Sequence, residues 1–507
     1  MTGSGKTEVY LEAVANALRK GEQVLVLLPE IALTSEFFNR VKNRFGENPA
    51  EWHSGATLAE RRRVWKMVAS GGAKLVIGAR SALFLPFMNL GLVIVDEEHD
   101  HSYKQEDGVI YNARDMAVLR SSIEGIPVIL ASATPSLESW VNAKNGKYNH
   151  VQIHERFGQA TLPSLSVVDL RTENLKSDEW ISDSLEKSIT ECLNNEEQSL
   201  LFLNRRGYSP TTVCRACGNQ ISCDECDARM VEHRFINRLM CHQCGHTKAM
   251  PHKCPSCGIK GKLAVVGPGV ERLAEEAQIK FPKAVISVLS SDLYGSAKSL
   301  KDEIQKISEG NTDIIIGTQL VAKGHNFPKL RLVGVIDIDI GLQGSDLRAA
   351  ERTYQLVRQV SGRAGRKDNK GRALIQTYQP EHPVVEAIIK GDDDEFWVSE
   401  AKQRELASMP PFGKLVGIII SSSNFENAMF LANQLKTSTQ ALDIIGARVY
   451  GPAPAPIARI KRRHRIRFLV KSPRTPGLQD AIRKWVATGS LKGDLRLSID
   501  IDPQSFY

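Results

Sequence analysis

Cys214/Cys217, Cys223/Cys226, Cys241/Cys244 and Cys254/Cys257 form four C-x2-C pairs and account for eight of the chain's nine cysteines. Two thiolates at this spacing grip one Zn²⁺ as a knuckle. Eight therefore make two closed tetrahedral sites, with no position left for a catalytic water. A disulfide framework is the alternative, but no secretory signal is recognisable and cytosolic thiols stay reduced. Spacing alone leaves open which knuckles share an ion. His233, His242, His246 and His252 lie among the cysteines and could compete as ligands. The thiolates already fill both tetrahedra, so these histidines read as surface or supporting residues. Cys192 stands apart, in a helical pattern, as a buried thiol.

A second set of residues suits phosphate chemistry. Met1-Thr2-Gly3-Ser4-Gly5-Lys6-Thr7 is the G-K-T end of a P-loop. Backbone N–H groups of Thr2, Gly3, Ser4 and Gly5 would cradle the phosphates of ATP, Lys6 would reach the β and γ oxygens, and the Thr7 hydroxyl would help hold Mg²⁺. The first glycine of the pattern would fall one position before Met1. Asp96-Glu97-Glu98-His99 follows an apolar run, which is where a P-loop fold holds its metal and orients the attacking water. Asp96 is assigned to the Mg²⁺ shell and Glu97 to the water, while His99 would couple the site to Ser132-Ala133-Thr134. The alternative is an acidic loop capping a helix. Gln359-Val360-Ser361-Gly362-Arg363-Ala364-Gly365-Arg366 sets two arginines on a glycine-spaced turn. Arg363 and Arg366 suit a γ-phosphate reached from across a cleft. Their bland alternative is two surface arginines at a helix end.

These residues need elements to carry them. A helix is expected from about Glu8 to Leu18, its N-terminus aimed at the phosphates. Buried strands are expected at Val24–Leu28, Leu92–Val95 and Val128–Leu130, then at Leu200–Leu203, Val285–Leu289, Ile314–Gly317, Leu332–Ile336 and Ala373–Thr377. Strands alternating with helices predict an α/β chain of two RecA-like P-loop lobes with parallel sheets and ligands at the strand C-termini. The expected boundaries are 1–155 for a first, ATP-binding lobe and 156–398 for a second. A two-zinc cysteine-rich insert at 208–262 lies within the second lobe. A small α+β C-terminal domain follows at 399–507, where Gly451-Pro452-Ala453-Pro454-Ala455-Pro456 reads as a stiff connector. A chain of 507 residues with 42% hydrophobic and 24% charged residues suits about three soluble domains. No apolar run reaches membrane-spanning length, which predicts a cytoplasmic protein with no membrane partner. The net charge of +8 permits a polyanionic partner without requiring one. Lys461, Arg462, Arg463, His464, Arg465 and Arg467 crowd one segment that leans toward phosphate contact.

Taken in order, G-K-T, D-E-E-H, S-A-T and Q-x-x-G-R-x-G-R resemble the superfamily 2 helicases. The eight-cysteine insert just after Asn204-Arg205-Arg206-Gly207-Tyr208 resembles, more narrowly, the PriA family of bacterial replication restart helicases. Pro29-Glu30-Ile31-Ala32-Leu33-Thr34, His53-Ser54-Gly55, Gly78-Ala79-Arg80-Ser81-Ala82-Leu83-Phe84, Ser102-Tyr103-Lys104-Gln105 and Ala349-Ala350-Glu351-Arg352 match the same family. The resemblance covers the whole chain. It implies an ATP-dependent 3′→5′ DNA helicase, a DNA-dependent ATPase, that recognises stalled or abandoned forks and promotes primosome assembly. Implied partners are forked and single-stranded DNA, other primosome proteins and single-stranded-DNA-binding protein, with the chain itself a monomer. It also implies a zinc pairing: Cys214, Cys217, Cys254 and Cys257 on one ion, Cys223, Cys226, Cys241 and Cys244 on the other. The segment around Tyr103, Lys104 and Tyr111 resembles an aromatic-rich loop that couples single-stranded DNA to ATP turnover. Without the family, both tyrosines read as packing residues. The resemblance also implies that the C-terminal domain contributes to DNA binding.

The family also has a region before the P-loop, with a domain that reads a 3′ end, a winged-helix domain and residues that contact adenine. On this reading the chain is a fragment or carries a mis-assigned start, with weakened ATP affinity and intact zinc sites. Other readings are a double-strand translocase or RNA helicase on the same motor, or a catalytically crippled zinc-bearing module that binds only DNA or protein.

Overall fold

The computed structural model describes residues 4–29, 35–153, 162–173, 175–176, 179–204, 211–214, 219, 221–225, 230–233, 238–241, 246–260, 263–266, 269–290, 294, 297–322, 327–342, 347–365 and 371–505. In the first lobe, runs of valine, leucine and isoleucine form β1 (Gln23–Leu27), β3 (Leu75–Gly78), β4 (Leu90–Asp96) and β5 (Val128–Ala131), and the short edge strand β2 (Ala50–Trp52) is Ala-Glu-Trp. They pair in the order β2-β3-β1-β4-β5, every pair parallel. A sheet covered on both faces needs apolar side chains at successive positions, hence the unbroken runs. Alternate residues of β1 serve opposite cores. Val24 and Val26 face Tyr10, Leu11 and Val14 of α1 (Lys6–Arg19), while Leu25 and Leu27 join Val64 and Val68 of α2 (Leu58–Ala69), Ala113 and Ala117. Strands β2 and β3 go beyond the sequence reading, because three or four residues give too little pattern to register as a period.

The second lobe repeats the plan with β6 (Ser164–Asp169), β7 (Gln198–Phe202), β8 (Ile286–Leu289), β9 (Ile314–Gly317), β10 (Leu330–Val335) and β11 (Arg372–Thr377). The order is β8-β9-β7-β10-β11-β6, again all parallel. Both central strands open on a buried glutamine. The Gln23 amide donates to Val68 O at 3.1 Å and Ala73 O at 2.8 Å; that of Gln198 donates to Ile307 O at 2.9 Å and Thr312 O at 2.8 Å. Each glutamine ties the strand to the chain leading into its neighbour, whose loop carbonyls would otherwise be buried unpaired.

The cysteine-rich insert and the C-terminal domain form a separate compact unit. In the insert, Thr211–Cys214 pairs antiparallel with Leu263–Val266, and Val231–His233, Arg238–Met240 and Thr247–Ala249 make a three-stranded antiparallel sheet. Ile221, Cys223, Met230, Leu239 and Cys241 form a small buried cluster, with Ile460 of the C-terminal domain packed against it. That domain is an antiparallel sheet of β12 (Gly413–Ser422), β13 (Arg448–Ile460), β14 (Arg463–Pro473) and β15 (Arg496–Ile501), in the order β13-β14-β12-β15. Helices Phe425–Lys436 and Leu478–Ala487 contribute Leu431, Leu435, Ile482 and Trp485 to the core against Val416, Ile418, Ile466 and Phe468. The stretch expected to be a stiff connector is instead part of the edge strand β13, with shifts of register on either side of Ala453-Pro454. Proline lacks the ladder N–H, so an irregular edge strand is where a sheet can accept it. Among the described residues no helix is long and apolar enough to cross a membrane.

The β13–β14 turn consists of Lys461 (φ 50°) and Arg462 (φ 60°), both left-handed without being glycine. The two-residue turn that matches strand twist requires this geometry, which side chains disfavour. Contacts to the insert hold it in place. The Arg462 N–H donates to Glu225 O at 2.8 Å, and its guanidinium forks onto the Glu225 carboxylate, with Nη2–Oε1 and Nε–Oε2 both 2.6 Å. Glu225→Arg should therefore speed amide exchange of residues 456–466 by about tenfold, while Gly413–Ser422 keeps its protection. Unchanged exchange in 456–466 would mean that the sheet alone holds the hairpin.

Candidate active site

The ends of β1, β4 and β5 and one helix of the second lobe bring the phosphate-suited residues together. Gly5 precedes α1 at φ 80°, a left-handed position that glycine fills without strain. This turn directs Lys6, the first helical residue, at the end of β4. Its ammonium lies 3.3 Å from Asp96 Oδ1 and forms a closer ion pair with Glu97 Oε1. One helical turn on, the Tyr10 hydroxyl donates to Asp96 Oδ2 at 2.9 Å. Glu97 is left-handed at φ 48°, and its N–H donates to Asp96 Oδ1 at 2.9 Å. The kink turns Glu97 toward Lys6, where a continuing strand would point it to the opposite face. Burial pushes the Glu97 carboxyl upward, but the Lys6 charge, with a contribution from Arg363, outweighs it and holds the group well below the usual carboxylate range. Burial would lower the Lys6 ammonium; Asp96 and Glu97 instead raise it.

His99 does couple this site to the end of β5, its Nδ1 lying 2.7 Å from Ser132 Oγ. On the other side, Gln359 Nε2 lies 2.8 Å from His99 Nε2 and donates to Glu97 Oε2 at 3.0 Å. The two amide protons of Gln359 thus have two acceptors, which leaves the proton on His99 Nδ1 for Ser132. Gln359 sits on α4 (Ala349–Ser361), and Arg363 lies just past the helix end, where its N–H donates to Val360 O at 2.9 Å. Ser4, Gly5, Lys6, Asp96, Glu97 and Arg363 therefore belong to one neighbourhood, with Thr7 beside Lys6 on α1. Met1, Thr2, Gly3 and Arg366 lie outside the described residues. A lysine at the start of a helix, a strand-end aspartate and an adjacent glutamate can hold nucleotide phosphates with a divalent cation and orient a water.

The tyrosine that the resemblance set against DNA bases packs instead. Tyr103 is 1% exposed, and its hydroxyl donates to Leu27 O at 3.0 Å and Asp96 O at 2.6 Å, joining the ends of β1 and β4. Lys104 is also buried, and half-buried Tyr111 meets the ring of Phe84 edge-on at 5.0 Å. Sequence reasoning gave no role to Glu98. This buried carboxylate accepts from Ser136 N at 2.7 Å, Ser136 Oγ at 3.0 Å and Ser139 Oγ at 2.9 Å, and faces Arg114 Nη1 at 3.3 Å. As the third of three successive acids it has no spacing that singles it out, and no spacing rule points to Arg114.

Of the eight paired cysteines, Cys223, Cys241, Cys254 and Cys257 are described as residues outside disulfides, and Cys214 ends a strand. Cys217, Cys226 and Cys244 lie outside the described residues. Among the described residues, no three histidine, cysteine or acidic side chains gather closely enough to hold a metal ion. The chemistry of the donors nevertheless suits zinc. Glu225 N–H donates to Cys223 Sγ at 3.4 Å, a bond that favours a thiolate, and Cys254 opens a tight turn closed by Gly258 N to Cys254 O at 2.9 Å.

Four families match successive parts of the chain. They are DEAD/DEAH box helicase over residues 1–142, the PriA DNA helicase Cys-rich region over 223–248, the helicase conserved C-terminal domain over 255–368, and the primosomal protein N C-terminal domain over 405–504. The chain is 41% identical over 507 residues to the replication restart protein PriA of Rickettsia felis, covering all of this chain and 78% of that protein. It is 38% identical over 505 residues to that of Haemophilus influenzae, covering 99% of this chain and 69% of the relative. For that of Bacillus subtilis the identity is 38% over 507 residues, covering 99% and 63%.

A pH dependence follows from the Glu97 pairing. Its folded-state pKa is depressed, so the stabilisation is complete above the unfolded value of about 4.3 and is lost as pH falls toward the lower folded value. Thermal unfolding of the wild-type chain should therefore fall more steeply below about pH 4.5 than that of Glu97→Gln. Parallel curves would mean that Lys6 does not hold this carboxylate.

Proposed function

The chain belongs to the PriA family of replication restart proteins, and on that premise we propose that it turns over ATP at the Lys6–Asp96–Glu97 cluster to drive strand separation of DNA with 3′→5′ polarity. The observation that carries this is the hydrogen-bonded chain from Glu97 through Gln359 and His99 to Ser132, because it joins the carboxylate suited to water activation to both lobes. Helicase and ATPase function is shared across the family. The assignment of individual residues, the polarity and the preference for stalled or abandoned forks are the finer parts of the proposal.

Lys6 leaves its carboxylate partners to meet β and γ phosphate oxygens, with the N–H groups around Gly5 as further donors. Thr7 and Asp96 would hold Mg²⁺, which when bound neutralises phosphate charge. Freed from Lys6, Glu97 orients a water and receives its proton, while the Gln359 amide fixes the direction of the carboxylate. Arg363 and Arg366 supply positive charge from the second lobe as charge moves onto the leaving oxygen. Because His99 and Ser132 sit on the same bonded chain, a change at Glu97 reaches the turn after β5, which gives DNA a route to the rate.

Two zinc ions would hold the insert, with Cys214, Cys217, Cys254 and Cys257 on one and Cys223, Cys226, Cys241 and Cys244 on the other. The burial of Cys223 and Cys241 in one apolar cluster supports the second grouping. Closed thiolate sites stabilise structure. Forked and single-stranded DNA, single-stranded-DNA-binding protein and primosome proteins are the proposed partners.

ATP hydrolysis by the whole chain, with and without forked DNA, tests the reading. Turnover should rise with DNA and fall by about 100-fold or more in Lys6→Ala. Absence of turnover in a chain that still binds two zinc ions would instead leave a zinc-bearing binding module. Cys223→Ser should lower the zinc count from two to about one and impair unwinding more than ATP hydrolysis. Equal loss of both activities in a folded variant would remove the proposed division of labour.

A further inference from the structure

Helix α4 carries three buried polar side chains at four-residue intervals: Glu351, Gln355 and Gln359, at 3%, 6% and 6% exposed. Four residues of helix rise about 6 Å, so the three form a polar stripe about 12 Å long on one face. Each meets a different part of the first lobe. The Glu351 carboxylate accepts the N–H of Leu137, the first residue of α3 (Leu137–Lys144), at 3.0 Å. The Gln355 amide donates to Pro135 O at 3.0 Å and Thr134 O at 3.4 Å. Gln359 reaches Glu97 and His99.

We propose that Gln355 is a positioning residue for ATP hydrolysis: it fixes the Ser132–Pro135 turn against α4, so that Ser132 holds His99 while Arg363 faces the same site. The inference rests on the ATPase reading given above. Gln355 touches none of the groups assigned to phosphate or water. It acts on backbone carbonyls of a turn whose ends are tied to the first lobe, Ser132 by His99 and Ser136 by Glu98, and inside which Ser132 Oγ accepts Thr134 N at 3.0 Å. Holding both carbonyls leaves the Ser132 hydroxyl one place to be, within reach of His99. The same helix runs straight into Arg363, so a shift of α4 that withdrew Gln355 would withdraw Gln359 and Arg363 with it. The three contacts therefore form and break together. Glu351 secures the far end of the stripe, where a carboxylate at the first turn of a helix is favoured.

Two variants of similar size test this. Gln355→Glu loses the donor and sets a carboxylate against two carbonyl oxygens, yet its protonated form can donate again. Gln355→Leu cannot donate at any pH. At pH 8 both should lower the DNA-stimulated kcat by about tenfold or more, with the KM for ATP within about twofold of wild type. At pH 6 Gln355→Glu should recover part of the loss and Gln355→Leu none. Amide exchange of residues 132–137 should quicken in both at pH 8. A kcat unchanged in Gln355→Leu, or a defect in Gln355→Glu indifferent to pH, would overturn the assignment. If the wild-type chain shows no DNA-stimulated turnover, the ATPase reading fails by itself. Exchange still decides the placement of the turn, and wild-type protection in both variants at pH 8 would overturn the role of Gln355.

Discussion

One ammonium group balances two neighbouring carboxylates at the end of the first sheet, and the local architecture is arranged around that balance. Asp96 and Glu97 are adjacent in sequence and partly withdrawn from water, so without Lys6 their repulsion would raise one of their pKa values. Lys6 can reach them only if α1 lies over β4 in a single rotational setting. Tyr10, on the same face one turn later, bonds the other oxygen of Asp96, and Val14 and Ala17 continue that face into the core. A rotation of α1 by one residue, about 100°, would remove the ion pair, the tyrosine bond and the apolar contact together. Charge and packing therefore select the same register.

The kink at Glu97 shows how three successive acids come to differ. A left-handed non-glycine residue costs on the order of 1–3 kcal/mol and persists only where its surroundings fix it. Here the Glu97 N–H is taken by Asp96, the Glu97 carbonyl accepts Asp100 N at 2.7 Å, and Glu98 N donates to Ala131 O at 3.1 Å. With the backbone turned in this way, Asp96 and Glu97 share Lys6, while Glu98 is delivered to Arg114, Ser136 and Ser139. One pair of carboxylates faces the phosphate-suited side, and the third anchors the chain entering α3.

The parts legible in the sequence were those whose physics is local. Buried parallel strands read as continuous apolar runs, and the residues at their ends carry the chemistry, so β1, β4, β5 and β7 to β11 are visible with Lys6, Asp96, Glu97, His99 and Gln359, whereas the partly exposed edge strand β6 carries no such run. The link from His99 to Ser132 was foreseen because strand-end residues of neighbouring parallel strands must meet. Tyr103 reads as a packing residue from its type and as a base platform from the resemblance, and the proximity of Leu27 O and Asp96 O decides for packing. The proline-rich stretch of β13 was misread because proline argues against a strand unless the strand is an edge. Gln355 passed unremarked for a related reason. A glutamine within a helix resembles a solvent residue until its spacing from Glu351 and Gln359 is matched with the carbonyls opposite.

The basic run of the C-terminal domain shows the same difference between composition and placement. As a string, Lys461 to Arg467 suggests a row of charges turned outward to phosphate. In the folded domain Arg462 forks onto Glu225, Arg463 lies 3.2 Å from Asp494 Oδ2 and donates to Ser421 O at 2.8 Å, and Arg465 donates to Ile457 O at 3.2 Å. His464 lies edge-on to Phe425 with ring centres 5.7 Å apart. An arginine already matched to a carboxylate contributes less to the outward field than its formal charge. A phosphate meeting these side chains must share or displace existing acceptors. The number of counterions released on DNA binding should therefore be smaller than the number of basic residues in the run. What the cluster offers is a shaped surface, fixed by its internal pairs, within which Arg462 binds the hairpin to the cysteine-rich insert.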